Sequence, residues 1–385
     1  MTHFDAHFNA PQGLHFGRLY SGLHAMPRLL VAWQLQWRDV TEQLPTAGHV
    51  LRAPNAAAAC ASAWSSSPAM PLSDFVGAHW LAPCDLQPVK AAGVTFAVSL
   101  LERLIEEHAS GDASRAAELR QTLGAAMGGD LAKIVPGSPA AQALANQLKA
   151  QGLWSQYLEV GIGEDAEIFT KCPPMAAVGH MASVGIHRST WNNPEPELVL
   201  AIDCGGAIVG AALGNDVNLR DVEGRSALLL GRAKDNNAST AIGPSIRLFD
   251  AGYGDSFAPA DLLDADIALD LEGPASALHP GGFSARIVNS MRHISRSPQE
   301  LARQLFDGHD YPDGVMLFCG TMAVPTADRL EAGKGFTHMV GDVVRVSSAK
   351  LGVLQNTVDL STNAPPWRYG VVDLMRNLSK AGISL

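Results

Sequence analysis

Positions 197–203 read Glu-Leu-Val-Leu-Ala-Ile-Asp and 207–213 read Ala-Ile-Val-Gly-Ala-Ala-Leu, two short apolar runs either side of Gly205-Gly206. This pattern predicts two strands joined by a two-residue Gly-Gly turn, because both central positions of such a turn need φ > 0. Residues whose numbers sum to 411 then face each other, which sets Asp216 opposite Glu195. Side chains alternate along a strand, so Glu195 and Glu197 share that face. Like charges set opposite one another destabilise a sheet. Three converging carboxylates therefore suggest a bound hard cation, Mg²⁺ or Mn²⁺. Paired glutamates at a strand start are also commonly solvated edge residues, and spacing alone leaves both readings open.

Elsewhere the pattern divides the chain into zones. Residues 1–80 mix apolar runs such as 29–32 with an alanine-rich stretch at 56–63, as a small α+β unit would. The remainder, 81–385, reads as the larger unit. Within it, 97–152 is helical in period: Leu101, Leu104, Ile105 and His108 recur at helical spacing, and Ser138-Pro139 supplies an N-cap followed by proline. Gly111 and Gly128-Gly129 punctuate that zone into separate helices. From 156 to 385 short β-runs alternate with Gly, Pro, Asn and Asp, at 198–202, 227–230, 315–319 and 343–346. Irregular, turn-rich strands of this kind predict a mixed β-rich, α+β architecture and not an alternating βαβ sheet.

Composition narrows the function. With 47% hydrophobic and 17% charged residues, the 385-residue chain is globular in character, and its net charge of −10 argues against nucleic acid or an anionic membrane as partner. No basic segment followed by an apolar run opens the sequence, and no stretch approaches the roughly 18 apolar residues of a membrane span. Five scattered cysteines without a CxxC pair read as reduced thiols, so a cytoplasmic protein is expected. The thirteen histidines form no metal-ligand spacing.

Several segments then fall in one order: Glu195-Pro196-Glu197-Leu198, Gly214-Asn215-Asp216-Val217-Asn218-Leu219-Arg220-Asp221, Ala233-Lys234, Ile242-Gly243-Pro244, Phe318-Cys319-Gly320-Thr321 and Gly341-Asp342-Val343-Val344. Together they resemble the fumarylacetoacetate hydrolase family. The resemblance implies a mixed β-roll catalytic domain, a homodimer or dimer of dimers, and a divalent cation held by Glu195, Glu197 and Asp216. Hydrolytic members carry a histidine in a segment similar to 93–99, where this chain has Phe96 and Ser99. A serine does not serve as general base unaided. The string from Gly161 to Asn237 is similar instead to the family's sugar-acid dehydratase branch, which converts 2-keto-3-deoxy-D-pentonates to α-ketoglutaric semialdehyde.

That resemblance implies an α-keto sugar acid as small-molecule substrate, chelated by the cation through its carboxylate and C2 carbonyl. Lys234 is the candidate base at C3. Glu167, beside Ala166, Ile168 and Phe169, is the candidate acid for the departing C4 oxygen, because an apolar setting raises a carboxyl pKa. Arg220, Thr321 and Ser99 are the candidate substrate contacts. Glu223 stands where hydrolases often carry glutamine. Two other functions compete: a C–C hydrolase of an acylpyruvate or diketo sugar acid, with His180 or His187 replacing the missing base, and a non-catalytic metal-dependent binding protein.

Overall fold

The computed structural model describes residues 9–110, 112–116, 134–150, 154–250, 252–253 and 256–383. The punctuating Gly111 and Gly128-Gly129 and the first eight residues lie outside them. Two β-sheets dominate. A ten-stranded sheet runs, edge to edge, through Gln36–Asp39, Met26–Trp33, His15–Ser21, Thr240–Leu248, Ile208–Asp216, Pro196–Ile202, Val315–Phe318, Val89–Ala92 and Ile168–Cys172, with His79–Leu81 added alongside His15–Ser21. Strands from the first eighty residues thus continue the sheet that carries the acidic hairpin. A five-stranded sheet of Phe283–Ser290, Asp266–Gly273, Val343–Ser348, Gly352–Asp359 and Ser183–Gly185 packs against it. This is the expected α+β, β-roll architecture.

The strand Pro196–Ile202 is buried along its whole length because both its faces are covered. Leu198, Leu200 and Ile202 point into the core shared with Leu269, Val344 and Leu354 of the smaller sheet. Val199 and Ala201 point the other way, into a core completed by Ala56, Ala57 and Trp64 of the helix Ala56–Ser66. Period-two alternation therefore sets Glu197 in the Val199–Ala201 row, at the end where the apolar filling stops.

Two local expectations need correction. The turn is not the two-residue Gly-Gly type. Asp203 N–H donates to the Ala207 carbonyl, Gly206 alone has positive φ (86°), and the Asp203 carboxylate accepts from Gly205 and Ala207 N–H. This is a three-residue loop with a bulge, and the register shifts once more between Ile208 and Gly210. The bulge restores the expected pairing: Gly214 lies opposite Glu197, and Asp216 N–H donates to the Glu195 carbonyl at 2.9 Å. The expected strand at 227–230 is instead a 3₁₀ turn, Ala227–Leu229, running into the helix Leu230–Lys234. Ser226 caps it by accepting from Leu228 N–H, and Leu228 itself is 95% exposed, so the apolar run never reaches a sheet face.

The helices begin as their caps predict. Ser138 accepts from Ala141 N–H ahead of Pro139–Ala150, and Ala97–Ala109 forms over the expected span. Four cysteines are buried free thiols, and Cys204 is exposed. No described helix is long and apolar enough to cross a membrane.

Candidate active site

Glu195, Glu197 and Asp216 converge at the end of the hairpin, with one carboxylate oxygen from each within 4.8 Å of the others, all three side chains buried. Gly214, paired with Glu197, lets Phe318 and Val199 pack closely beneath the hairpin. A Cβ there would lie 2.2 Å from Phe318 and 2.5 Å from Val199. Gly320 N–H holds one Glu197 oxygen at 2.7 Å, and Thr321 Oγ1 reaches the other at 3.4 Å. Gly320 sits at φ 106°, and a Cβ would meet Thr95 Oγ1 at 1.9 Å, so this loop admits only glycine.

Buried cations surround the carboxylates. Lys234 bonds Glu195 and lies 3.2 Å from Asp216. Lys171, fully buried on the strand Ile168–Cys172, lies 3.0 Å from the other Asp216 oxygen and also donates to the Lys234 carbonyl. Arg103, from the helix Ala97–Ala109, bonds Glu195 at 2.6 Å, Glu106 at 2.5 Å and Glu223 at 2.8 Å. Arg220 closes the network onto Glu102 and Glu106, each at 2.6 Å, and stacks over Trp191.

Charge counting tests the fit of a cation. Glu102, Glu106, Glu195, Glu197, Asp216 and Glu223 are opposed by Arg103, Lys171, Arg220 and Lys234, all buried. Among the described residues of this network, six carboxyls therefore face four cations, so acidic groups are in excess. Glu197 is the group left without a cationic partner. Burial, then Asp216 and Glu195, push its carboxyl well above the ordinary range. Burial alone would raise Glu195, but Lys234 and Arg103 overcome it and hold that carboxyl near 2. Three hard oxygen donors, one of them a carboxyl with no cationic partner of its own, suit Mg²⁺ or Mn²⁺.

The remaining candidates divide. Glu167 lies partly open beside the cluster. Burial raises its carboxyl, opposed by Arg103 and Lys234. Its carboxylate rests on Gly93, where a Cβ would lie 2.0 Å from Oε2. By the chain's own charges Lys234 is an ammonium: burial favours the neutral amine, but Asp216, Glu195 and Glu223 raise it above the usual lysine range. Thr321 joins the site through Glu197. Arg220 does not reach the triad, because Glu102 and Glu106 take its guanidinium. Asp221, its chain neighbour, bonds Ser189 and Thr190 instead. Ser99 is buried in the capping of its own helix, donating to the Phe96 carbonyl and accepting from Phe96 N–H. His180 Nδ1 accepts from Gln355 N–H, and His187 Nε2 meets the Arg232 guanidinium at 3.3 Å.

Sequence reasoning missed Lys171 and Arg103 and left Glu223 without a role. Burial pushes Glu223 up to about 7 against the pull of Arg103 and Lys234. The signal for Arg103 lay in Glu102, Arg103 and Glu106 within a helix whose apolar face was recognised. These polar residues are buried too, on the flank turned to the hairpin.

No protein-family model matches the chain. Two curated relatives do. Over 189 residues, 49% of this chain and 57% of the relative, it is 31% identical to a 2-dehydro-3-deoxy-D-arabinonate dehydratase of Saccharolobus solfataricus. Over 285 residues, 74% of this chain and 76% of the relative, it is 25% identical to a probable 2-keto-3-deoxyxylonate dehydratase of Haloferax volcanii. The chain thus spans little more than half of the first relative's length. Among solved structures, a 2-keto-3-deoxy-D-arabinonate dehydratase complexed with magnesium and 2,5-dioxopentanoate aligns with a TM-score of 0.57 at 17% identity, covering 90% of this chain and 99% of that one. A fumarylacetoacetate hydrolase from Exiguobacterium antarcticum aligns at 0.55 and 17%, covering 90% and 100%. The family resemblance read from the sequence stands on both counts, sequence similarity and fold.

Proposed function

From a chain with the fold of the fumarylacetoacetate hydrolases and the sequence of a relative of sugar-acid dehydratases, we propose a Mg²⁺-dependent hydro-lyase. It would convert 2-keto-3-deoxy-D-pentonate to α-ketoglutaric semialdehyde (2,5-dioxopentanoate) and water. The observation that carries this reading is the buried carboxylate triad, with Lys234 bonded to Glu195 and Glu167 near enough to feel the charges of Lys234, Glu195 and Asp216. The magnesium in the dehydratase complex of the same fold supports the cation.

Glu195, Glu197 and Asp216 would hold the cation, which would supply Lewis acidity toward the C2 carbonyl of an α-keto acid and so acidify its C3 protons. Lys234 takes one of them. Asp216, Glu195 and Glu223 favour the ammonium, the form Lys234 reaches after that transfer, and the amine would act as a base once Glu195 and Asp216 were engaged as ligands. Glu167, whose carboxyl is raised by burial, gives its proton to the departing C4 hydroxyl, which leaves as water. Glu167, now a carboxylate, takes a C5 proton while Lys234 returns its proton to C3, leaving an enol that tautomerises to the aldehyde and both groups in their starting forms. Thr321 and Gly320 orient Glu197. Arg103 and Lys171 hold Glu195 and Asp216 in register, so that binding needs little rearrangement.

Hydrolysis of a C–C bond finds less support. The position where a water-activating histidine is expected is Ser99, and its hydroxyl caps a helix. The deciding experiment offers 2-keto-3-deoxy-D-pentonate and its L enantiomer, which differ only at C4, with Mg²⁺, coupling semialdehyde to a dehydrogenase, with an acylpyruvate in parallel. Semialdehyde is expected from the D form. Pyruvate from the acylpyruvate and no semialdehyde would replace this reading with hydrolysis. A homodimer or dimer of dimers in the cytoplasm belongs to the same proposal, and light scattering tests its assembly.

A further inference from the structure

A second cavity, about 950 Å³, opens away from the carboxylate cluster, between the His15–Ser21 strand and the segments 175–183 and 365–369. That volume suits one small organic ligand. Its lining is mostly apolar and includes Trp80, Leu81, Met175, Val178, Trp367 and Tyr369. Tyr20 stacks on His79 along one side, with ring centroids 5.1 Å apart.

The charges lining it are one-sided. Arg18, Arg368, His79 and His180 line the cavity, and among its described lining residues there is no carboxylate. Arg18 is only 4% exposed, and its guanidinium is partly used: Nη1 donates to the Ala82 and Cys84 carbonyls, and Nε lies 3.3 Å from Asp85. Nη2 is buried without a hydrogen-bond partner. Leaving such a donor unpaired is destabilising, and a ligand oxygen would relieve that cost. Asp85 lies behind the guanidinium and offsets part of its charge. Arg368, exposed at the rim, supplies a second positive group.

We propose that this cavity is a binding site for a small amphipathic carboxylate, its anionic head on Arg18 Nη2 with Arg368 nearby and its apolar body between Trp80 and Trp367. The site is separate from the lyase centre and does not depend on the reaction proposed for it. Asn237 and Ala238 form part of its wall, three and four residues beyond Lys234, so a bound ligand touches the turn that follows the candidate base.

The test uses the full chain with 1-anilinonaphthalene-8-sulfonate as fluorescent probe and octanoate as competitor. One probe bound per chain is expected, displaced by octanoate at least tenfold more effectively than by octan-1-ol. Arg18→Gln should weaken probe and octanoate at least tenfold, and the exposed Arg368→Glu about fivefold with an unchanged melting temperature. If Arg18→Gln does not fold, Arg368→Glu decides. Equal displacement by the alcohol, or wild-type affinity in a folded Arg18→Gln or Arg368→Glu chain, overturns the proposal. So does light scattering that finds a dimer taking up no probe and broken by Trp367→Glu, since a second copy would then cover the face.

Discussion

Gly93→Ala moves the candidate acid without changing its charge. Gly93 lies outside the left-handed region, so alanine is allowed there, and its N–H keeps its 3.0 Å bond to the Glu167 carbonyl. The new Cβ, however, would lie 2.0 Å from Glu167 Oε2, 2.8 Å from Cδ and 3.4 Å from Cγ. Restoring ordinary contact means withdrawing the carboxylate by about 1.4 Å, and a misplacement of about 1 Å can lower a rate about 10²-fold, or roughly 2.7 kcal/mol of barrier. Stability should barely change. The moving atoms are the end of a flexible, partly open side chain, and an off-rotamer strain of about 0.5–1.5 kcal/mol is offset by the about 0.4–1 kcal/mol gained from a less flexible unfolded chain. The assay follows semialdehyde release with saturating Mg²⁺, alongside thermal melting and calorimetric titration of Mg²⁺. The expected result is about 100-fold lower kcat, with melting temperature and Mg²⁺ affinity close to wild type. Full activity in a normally folded variant would refute the acid role of Glu167, and weakened Mg²⁺ binding would show that the perturbation acts through the triad.

Four other outcomes follow from the same geometry. Lys234→Met should lower turnover by about 10²–10⁴-fold, the usual worth of a proton-transfer group. Its Mg²⁺ affinity, measured by calorimetry, should be equal or tighter, because Lys234 competes for Glu195 and Asp216. Weaker binding would assign Lys234 to the support of the metal site. Arg103→Met strands Glu106, Glu195 and Glu223 and should cost about 3–5 kcal/mol in urea unfolding with EDTA. A loss below about 1 kcal/mol would mean that those carboxyls are neutral without it. Gly320→Ala, at φ 106° against Thr95, should weaken both stability and Mg²⁺ affinity, and an unchanged Mg²⁺ titration would show that the Gly320 N–H is not what holds Glu197. His15 is buried neutral, its pKa lowered to about 3 first by burial and then by Arg247. The unfolded chain takes up this proton below about 6.5 and the folded chain does not, so stability present above that pH falls as acid is added, by about 2–3 kcal/mol between pH 7 and 4.5. Urea unfolding of His15→Gln should lose that share of the pH dependence; identical slopes would place the acid sensitivity elsewhere.

What sequence alone determined about this protein is local or repetitive in origin. Period-two alternation and a Gly-containing turn were enough to bring Glu195, Glu197 and Asp216 to one face, because strand pairing is a rule of neighbours. The register survived even though the turn was misread, since the bulge after Ile208 returns the pairing to the same sum. The 227–230 run failed for the opposite reason: apolar residues make a strand only where a sheet edge receives them, and here a serine cap and exposure prevailed. The ion network was decided by tertiary structure alone. Arg103 meets Glu195 across 92 residues, Arg220 meets Glu102 across 118, and Lys171 meets Asp216 from another strand. No periodicity encodes such partners, because a charge becomes buried and paired only when separately folded elements close around it. The same closure engaged Arg220 with Glu102 and Glu106 and Ser99 with its own helix cap, and left Glu197 as the carboxylate without a cation of its own.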